Sequence, residues 1–475
     1  MKLENRSRAG DANVSENNTK YRREGLFGDL TIGYKNYLFL HASGRNDWDS
    51  RLSQKNRSFF YPSVDLSWVF TDALPFFKDN KIITYGKLRG GIAKVSAVQF
   101  APYSLQSTFD VGGGFPYGNT VGYSVGNTVY APDLKPEQTV SKEIGLELGF
   151  LNNRISLETA AYWETTSDQE IIKGINISNA TGFTNAIINT GSGKNHGLEV
   201  TLKGSPILSN NNGFTWNLGV NYSYNQNKAI SLYQGLPNLS IDNDNYIVKD
   251  QPYPVLMGKG FETDGHGHTV VDATSGYPVL SQTNILFGQT TPKNILGVNT
   301  SFSYHHFTLA GVAEYRSGSV VYSGAGSTFD FSGISYGSAT NGRERFVYPN
   351  SVIETSPGVY VPNTNVTTNS GGIDYWAGAT TRYGVMQNYV TSAAFIKIRE
   401  LSIGYDVPAE YLRGIKFIKR ASFALVGRNL FMFRPKSNPY TDPEFNNTLD
   451  NAQGSNGLNQ TPPTRIYGFT ASFTL

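Results

Sequence analysis

The tightest grouping of metal-ligand side chains is Asp264-Gly-His-Gly-His268. One carboxylate and two imidazoles suit a divalent ion. No third imidazole lies nearby, so the segment also reads as a Gly-rich turn. Asp242-Asn-Asp-Asn245 opens like a calcium loop, but Ile247 stands at its sixth position and Tyr253 at its twelfth, where Gly and Glu are needed. That excludes an EF-hand and leaves an irregular calcium site beside a plain turn. Gly191-Ser-Gly-Lys194 resembles the end of a phosphate-cradling loop, yet Ile188 replaces the first Gly and Asn195 the hydroxyl residue. No Gly-x-Ser-x-Gly elbow marks a strand-to-helix junction. Cysteine is absent, which removes disulfides, thiolate metal sites and thiol nucleophiles. The reading is a protein that is not an enzyme and needs no cofactor or metal.

Aromatic residues offer a different chemistry. Segment 102–130 holds Tyr103, Phe109, Phe115, Tyr117, Tyr123 and Tyr130 spaced by Gly, Ser and Asn. Segment 318–391 is similar, with Tyr336, Tyr375 and Trp376 among its rings. Ring faces stack on the C–H surface of a sugar while amides and carboxylates bond its hydroxyls, and the same set grips a peptide. The candidate ligand-binding residues are Tyr103, Phe109, Tyr117, Tyr123, Tyr336, Tyr375 and Trp376. The alternative is that these rings pack the loops on one another or on a partner protein.

The elements that would position them are strands. The chain has 475 residues, 13% aromatic and only 16% charged, with 50 Gly. A typical soluble protein is about 25% charged. So many rings and so few charges argue against disorder. A net charge of +3 offers no basic field for nucleic acid. No apolar run is long enough for a membrane helix, which leaves open a strand-built span. The period is 2 in segment after segment. Phe214, Trp216, Leu218, Val220, Tyr222 and Tyr224 share one face, and Thr215, Asn217, Gly219, Asn221 and Ser223 the other. Thirteen such strands are expected, at 24–34, 37–46, 59–70, 81–94, 138–150, 154–166, 193–206, 214–226, 294–304, 307–317, 392–407, 417–429 and 464–475. Most exceed the roughly 5–6 residues of a soluble strand and reach the roughly 9–11 needed to cross a membrane. The phase slips between Ile398 and Leu401, predicting a β-bulge near Arg399.

Connections alternate between short (Lys35-Asn36, 71–80, 151–153, 207–213, His305-His306, 408–416) and long (47–58, 95–137, 167–192, 227–293, 318–391, 430–463). Short periplasmic turns and long extracellular loops are the rule in outer-membrane barrels. The expected fold is therefore all-β, an antiparallel up-and-down transmembrane β-barrel. Its apolar face meets lipid. Its polar face, with Glu158, Glu199, Lys203, Glu314 and Arg316, lines the lumen, where these charges solvate the interior. Tyr34, Trp68, Trp163 and Trp216 read as interface girdles. An odd strand count does not close an up-and-down barrel, and Met1-Lys-Leu-Glu-Asn5 starts no signal peptide. Both features point to a chain that begins partway round a larger barrel.

An ordered series of motifs resembles the C-terminal half of a SusC/RagA-type TonB-dependent outer-membrane transporter. It runs Gly44-Arg-Asn-Asp-Trp48 with Ser50-Arg51, Asn56-Arg-Ser-Phe-Phe-Tyr-Pro-Ser-Val64, Ser67-Trp68, Lys87-Leu-Arg89, Leu134-Lys-Pro-Glu137, Glu143-Ile-Gly-Leu-Glu147 and Asn153-Arg154. It continues through Asn195-His-Gly-Leu-Glu199, Thr291-Pro-Lys293, Phe395-Ile-Lys-Ile-Arg-Glu-Leu401, Gly427-Arg-Asn-Leu430 and Asp442-Pro-Glu444. Each piece is weak alone; in order they are specific. The last residue departs from the aromatic common in barrel proteins, being Leu475 with Phe473 two places earlier.

The resemblance implies a 22-stranded barrel, with about nine strands upstream of this chain. It also implies a signal peptide, plug, carboxypeptidase-regulatory-like domain and TonB box, none of them within 1–475. The implied function is TonB-dependent import of oligosaccharides or peptides across the bacterial outer membrane. Implied partners are a SusD-like surface lipoprotein acting as a lid, the TonB complex acting through the N-terminal part, and outer-membrane lipid. Residues 1–475 alone are then expected not to transport. Two alternatives remain at this level: a passive channel or adhesin barrel, and a soluble secreted glycan-binding β protein.

Overall fold

Thirteen antiparallel strands pair in strict chain order into one continuous sheet. They are β1 (Arg23–Tyr34), β2 (Leu38–Asp49), β3 (Ser58–Val69), β4 (Ile83–Ala97), β5 (Glu137–Phe150), β6 (Ile155–Glu170), β7 (Asn189–Ile207), β8 (Thr215–Leu232), β9 (Asn294–Tyr304), β10 (Phe307–Ser317), β11 (Phe395–Asp406), β12 (Arg420–Phe433) and β13 (Ile466–Thr474). This computed structural model describes residues 18–117, 120–170, 175–209, 213–233, 236–242, 244–415, 417–440, 442–446, 452–458, 461 and 463–475, with the side chains of 110–121 and 170 outside the description. The N-terminal Met1–Asn5 segment therefore lies outside the described residues. All thirteen expected strands are present, and β1 and β13 are the sheet's two edges.

The two faces follow from alternation. Leu198 and Leu202 of β7, Ile403 of β11, Leu425 of β12 and Phe469 of β13 stand exposed on the apolar face, as a lipid-facing wall requires. Trp163 and Tyr34 are exposed on it too. Short turns join strands at one end. His305 (φ 51°) turns β9 into β10, and Lys35 and Asn36 (φ 46° and 58°) turn β1 into β2, a left-handed pair that matches strand twist. Two of the short connections hold a helical turn, Phe70–Ala73 and Ala409–Leu412.

The bulge falls where the phase slip places it. Val312 pairs with Glu400 but Ala313 with Ile398, so Arg399 is the extra residue against β10. On the other side Ile398 faces Phe431 and Glu400 faces Arg428, with Asn429 in the left-handed region (φ 54°). Polar and apolar faces exchange parity there without breaking the wall.

The long connections differ from open loops. Their chain folds back into small sheets of its own, one of them Asn238–Asp242, Asn245–Val248, Val255–Gly258 and Ile285–Gln289. Strands β6, β7 and β8 also run beyond their expected ends, to Glu170, back to Asn189 and on to Leu232. Pairing continues above the apolar band because an unpaired backbone group is costly wherever loops cover it.

Gly197, at the middle of the Asn195–Glu199 motif, shows how tightly the wall packs. A Cβ there would run into the Tyr162 ring and lie 2.5 Å from the Tyr224 carbonyl oxygen. The Tyr162 hydroxyl in turn accepts a hydrogen bond from Asn225 Nδ2 at 2.6 Å. Gly197→Ala is expected to destabilise the wall by about 1–3 kcal/mol, read as a lower temperature for loss of the compact, heat-modifiable form on gels. Removing the ring in Tyr162→Ala recovers only part of the loss, because the Tyr224 carbonyl cannot move aside. Full recovery in the double variant would refute the backbone argument.

Candidate functional site

The concave face of the sheet is polar and its charges are paired across strands. At the middle of the wall Lys87 meets Glu147 at 3.1 Å, and Arg89 faces Glu143, Glu147 (3.6 Å) and Glu158 (3.9 Å). These residues come from the Lys87–Arg89 and Glu143–Glu147 motifs, brought together by the β4–β5–β6 register. His41 sits between Asp65 (2.7 Å from Nδ1) and Asp29 (2.5 Å from Nε2), one residue from each of β1, β2 and β3. A second concave region of about 530 Å³ is lined by Lys203, Asn217, Asn299, Ser301 and Glu400. Of the five expected interior charges, Glu158, Glu314 and Arg316 join ion networks, while Lys203 lines this region and Glu199 lines its neighbour.

At the long-loop rim the carboxylates are fully buried. Asp47 accepts from Arg23 Nε at 3.0 Å, Arg45 Nε at 2.7 Å and the Tyr61 hydroxyl at 2.7 Å. Asp49 accepts from the Arg51 amide at 2.9 Å and its Nη2 at 2.6 Å, while Arg51 Nη1 donates to the Phe100 carbonyl at 3.2 Å. Asn56 Nδ2 donates to the carbonyls of Asp133 and Leu134 at 2.7 and 3.0 Å. Leu52, Phe59, Phe100 and Leu134 then close into one apolar cluster. Two neighbouring motifs and a third some 70 residues later (Leu134–Glu137) are thus one unit, which fastens the first long loops to the rim.

The last long loop is fastened at the bulge. Lys397, 5% exposed, donates to Asp442 at 2.7 Å and Glu444 at 2.6 Å. Arg399 grips both Glu444 oxygens at 2.6 Å and reaches Glu314 at 2.8 Å. Arg316 bonds Glu314 and lies 3.1 Å from Glu444. The Phe395 ring sits under all three cations, 4.8 Å from the Lys397 ammonium. Burial opposes charge on Glu444, but the hydrogen bonds from Arg399 and Lys397 outweigh it and hold the carboxyl at about 2.

A separate core organises segment 318–391. Asp330, fully buried at the end of helix Gly324–Phe331, accepts from Arg382 Nε and the Tyr389 hydroxyl, each at 2.9 Å. The Arg382 guanidinium lies over the rings of Trp376 (5.1 Å) and Tyr389 (5.5 Å). Burial pushes the Tyr389 hydroxyl far above its ordinary range. Arg382, Asp330 and Tyr389 were not singled out by spacing; they are 52 and 59 residues apart pairwise through Asp330, and only the fold joins them.

The candidate ligand-binding rings fall into two groups. Tyr375 is 4% exposed, packed against Tyr277, Phe346 and Trp376 at 6.3, 5.2 and 5.2 Å, so it is an internal brace of the loop. Trp376 links it to Arg382. Tyr336, 93% exposed, is the most open of the set. Phe109 and Tyr123 are exposed on the hairpin formed by Phe109–Tyr117 and Thr120–Val125. Tyr117 belongs to that hairpin, and its side chain lies outside the described residues. Tyr103 is exposed, with its hydroxyl accepting from the Lys20 amide at 3.1 Å. Among the described residues no ring contact joins the two groups.

The candidate cation loops form turns. Asp264 accepts from the amides of His266 (2.8 Å) and His268 (3.1 Å) and meets the His268 ring at 2.6 Å. Among the described residues no three His, Asp or Glu side chains are placed to hold a metal. Asp242 pairs with Asn245 across a hairpin end. Asn243 lies outside the described residues.

Glu444 gives this site its pH dependence. Its pKa is depressed in the fold, so its contribution is complete above its ordinary value of 4.5 and is lost as pH falls towards 2. Hydrogen-exchange protection of 442–446 is expected to hold from neutrality to about pH 5 and to fall below that. Glu444→Gln should show the same loss at neutral pH, about 3 kcal/mol. Protection that is unchanged in Glu444→Gln would rule out this fastening.

The family model described as TonB dependent receptor-like, beta-barrel matches residues 4–430. A TonB-dependent receptor of Formosa agariphila is 24% identical over 484 residues, covering 87% of this chain and 43% of that protein. The TonB-dependent receptor SusC of Bacteroides thetaiotaomicron is 28% identical over 280 residues, 57% of this chain and 26% of that protein. Among solved structures, the RagAB peptide transporter superposes with a TM-score of 0.71 at 20% identity, over 95% of this chain and 47% of that one. The chain spans less than half the length of these relatives. With a match across most of its length, the chain belongs to the TonB-dependent receptor-like β-barrel family of the outer membrane.

Proposed function

We propose that this chain is the C-terminal wall and loop cap of a TonB-dependent importer that takes up oligosaccharides or peptides. The observation that carries the reading is the pairing of a polar concave wall with long loops fastened to it near both ends of the chain. A wall whose charges are satisfied across strands presents hydroxyls, amides and paired ions to the lumen and leaves no strong field of one sign. That suits a neutral or zwitterionic polar cargo. Exposed Tyr103, Phe109, Tyr123 and Tyr336 supply stacking faces above it. The name of the RagAB relative, a peptide transporter, supports a peptide, and likeness to SusC supports pairing with a SusD-like lipoprotein lid.

The remaining strands, a plug and the TonB-contacting segment are assigned in this reading to sequence outside these 475 residues. The chain's own residues perform no bond-making step. They bind, orient and enclose the cargo, and energy enters through the plug.

Two measurements test the reading. Uptake of a labelled oligosaccharide and peptide panel should stop when TonB is deleted, while binding to the cell surface persists. Uptake that continues without TonB would instead establish a passive channel. In the purified receptor, alanine at Tyr103, Phe109, Tyr123 or Tyr336 should raise the Kd for the accepted cargo, by about tenfold at the ring that stacks it. Tyr375→Ala should lower loop stability by about 3–5 kcal/mol, because its ring is inside the loop. Cargo affinity unaffected by all four exposed-ring variants would dismiss the ligand role of these residues.

A further inference from the structure

The lipid-facing side of the wall carries a basic patch on only one part of its circumference. Register aligns Lys94, Val140, Thr165, Lys194 and Lys228 in one row across β4 to β8. The row beneath is Ile92, Lys142, Trp163, His196 and Gln226. Both rows share the parity of Ile144 and Leu198, which stand exposed on the apolar face. They also lie at the long-loop end of that face, beside the exposed Trp163 ring. Lysines here project outward at the upper border of the hydrocarbon band.

Their partners set them apart from the interior cations. Lys87, Arg89, Arg316, Lys397 and Arg399 on the concave side all meet carboxylates. Lys228 meets only the exposed Asp250, at 3.0 Å. Lys94, Lys142 and Lys194 meet no carboxylate among the described residues. On β10, β11 and β12 the long-loop ends of this face carry Tyr315, Ile396 and Phe433, all exposed and uncharged. The stem of a lysine bordering hydrocarbon packs on apolar neighbours, but its ammonium gains nothing from them. It is stabilised by anions at the headgroup level, each such residue adding roughly fivefold to affinity for a charged lipid surface.

We infer that Lys94, Lys142 and Lys194 form a binding surface for a phosphorylated glycolipid of the outer leaflet. Adjacent strands are about 4.8 Å apart, so the three ammonium groups spread over about 14 Å across β4 to β7, wide enough for a headgroup with more than one phosphate. Trp163 between them lies level with the acyl–headgroup boundary, where an indole ring is favoured. The surface faces away from the lumen, so the inference rests on the membrane-spanning wall and is independent of the imported cargo.

The test uses the intact receptor extracted from native outer membranes, with bound lipid counted by native mass spectrometry. Wild type should retain phosphorylated glycolipid through detergent exchange at low salt and release it in 1 M NaCl, where screening extends to about 3 Å. The Lys94→Gln/Lys142→Gln/Lys194→Gln variant should lose affinity on the order of 100-fold, while the three corresponding arginine substitutions retain it. Glutamine at Lys35, Lys78 and Lys419, on the short-turn side, should have no effect. Added dephosphorylated glycolipid should not bind, and inorganic phosphate should not compete at equal concentration. Should the glutamine variant fail to fold, the salt and dephosphorylation arms on wild type still decide. Salt-resistant retention, equal binding of the dephosphorylated lipid, or equal competition by free phosphate would each overturn the proposal.

Discussion

A backbone that crosses hydrocarbon must find all its hydrogen-bond partners inside the protein, because no water is available to supply them. Strand pairing meets that demand only sideways, so each strand depends on its neighbours. The strict chain order of the sheet is the simplest arrangement that meets it, since each hairpin delivers the next strand to the edge just exposed. The same demand explains why Arg399 is accommodated as a bulge: one extra residue shifts the parity while the ladder continues on both sides. It also explains why pairing climbs above the apolar band in β6, β7 and β8, where loops would otherwise cover unsatisfied groups.

Once the strands alternate, the two faces have opposite physical requirements. The lipid face tolerates bare apolar side chains. The concave face holds charges close to a protein surface, where an unpaired ion is poorly stabilised. The solution is repeated three times, as a cationic side chain set against carboxylates of neighbouring strands or of a loop. The motifs that mark this chain are mostly the members of these sets. Asp47 joins three neighbouring strands at the rim and Asp49 holds Arg51 towards the Phe100 carbonyl of a long loop, while Asp442 and Glu444 tie the last loop to the bulge. Some motifs thus fasten loop to wall, while Lys87–Arg89 and Glu143–Glu147 join wall strands to one another.

The loops themselves divide their aromatic residues between two tasks. Tyr375 and Tyr389 lie inside, with Trp376 braced against Tyr375 and under Arg382; the Asp330–Arg382 pair gives this core its ionic centre. Tyr336, Phe109, Tyr123 and Tyr103 stay outside. A ring fixed among other rings is not available to stack on a ligand, whereas an exposed ring held by an ordered hairpin or loop is. Composition cannot separate these tasks, because both kinds of ring are surrounded in sequence by the same Gly, Ser and Asn.

The wall was legible in the sequence because a period of 2 is a local property: Phe214 to Tyr224 declare their face without reference to any other strand, and the slip at Arg399 is visible in eight residues. Short turns such as Lys35-Asn36 and His305-His306 were legible for the same reason. The family-bearing motifs could be read in order, yet their purpose could not, since Asp47 needs Arg23 and Tyr61 from other strands, and Glu444 needs Lys397 and Arg399 from a strand nearly 50 residues away. The small sheets inside the long loops were not legible, their strands being too short to show a period. Nor was the burial of Tyr375, or the alignment of Lys94, Lys142 and Lys194 on the lipid face. Those depend on register between strands, and register is decided only when the whole ladder forms.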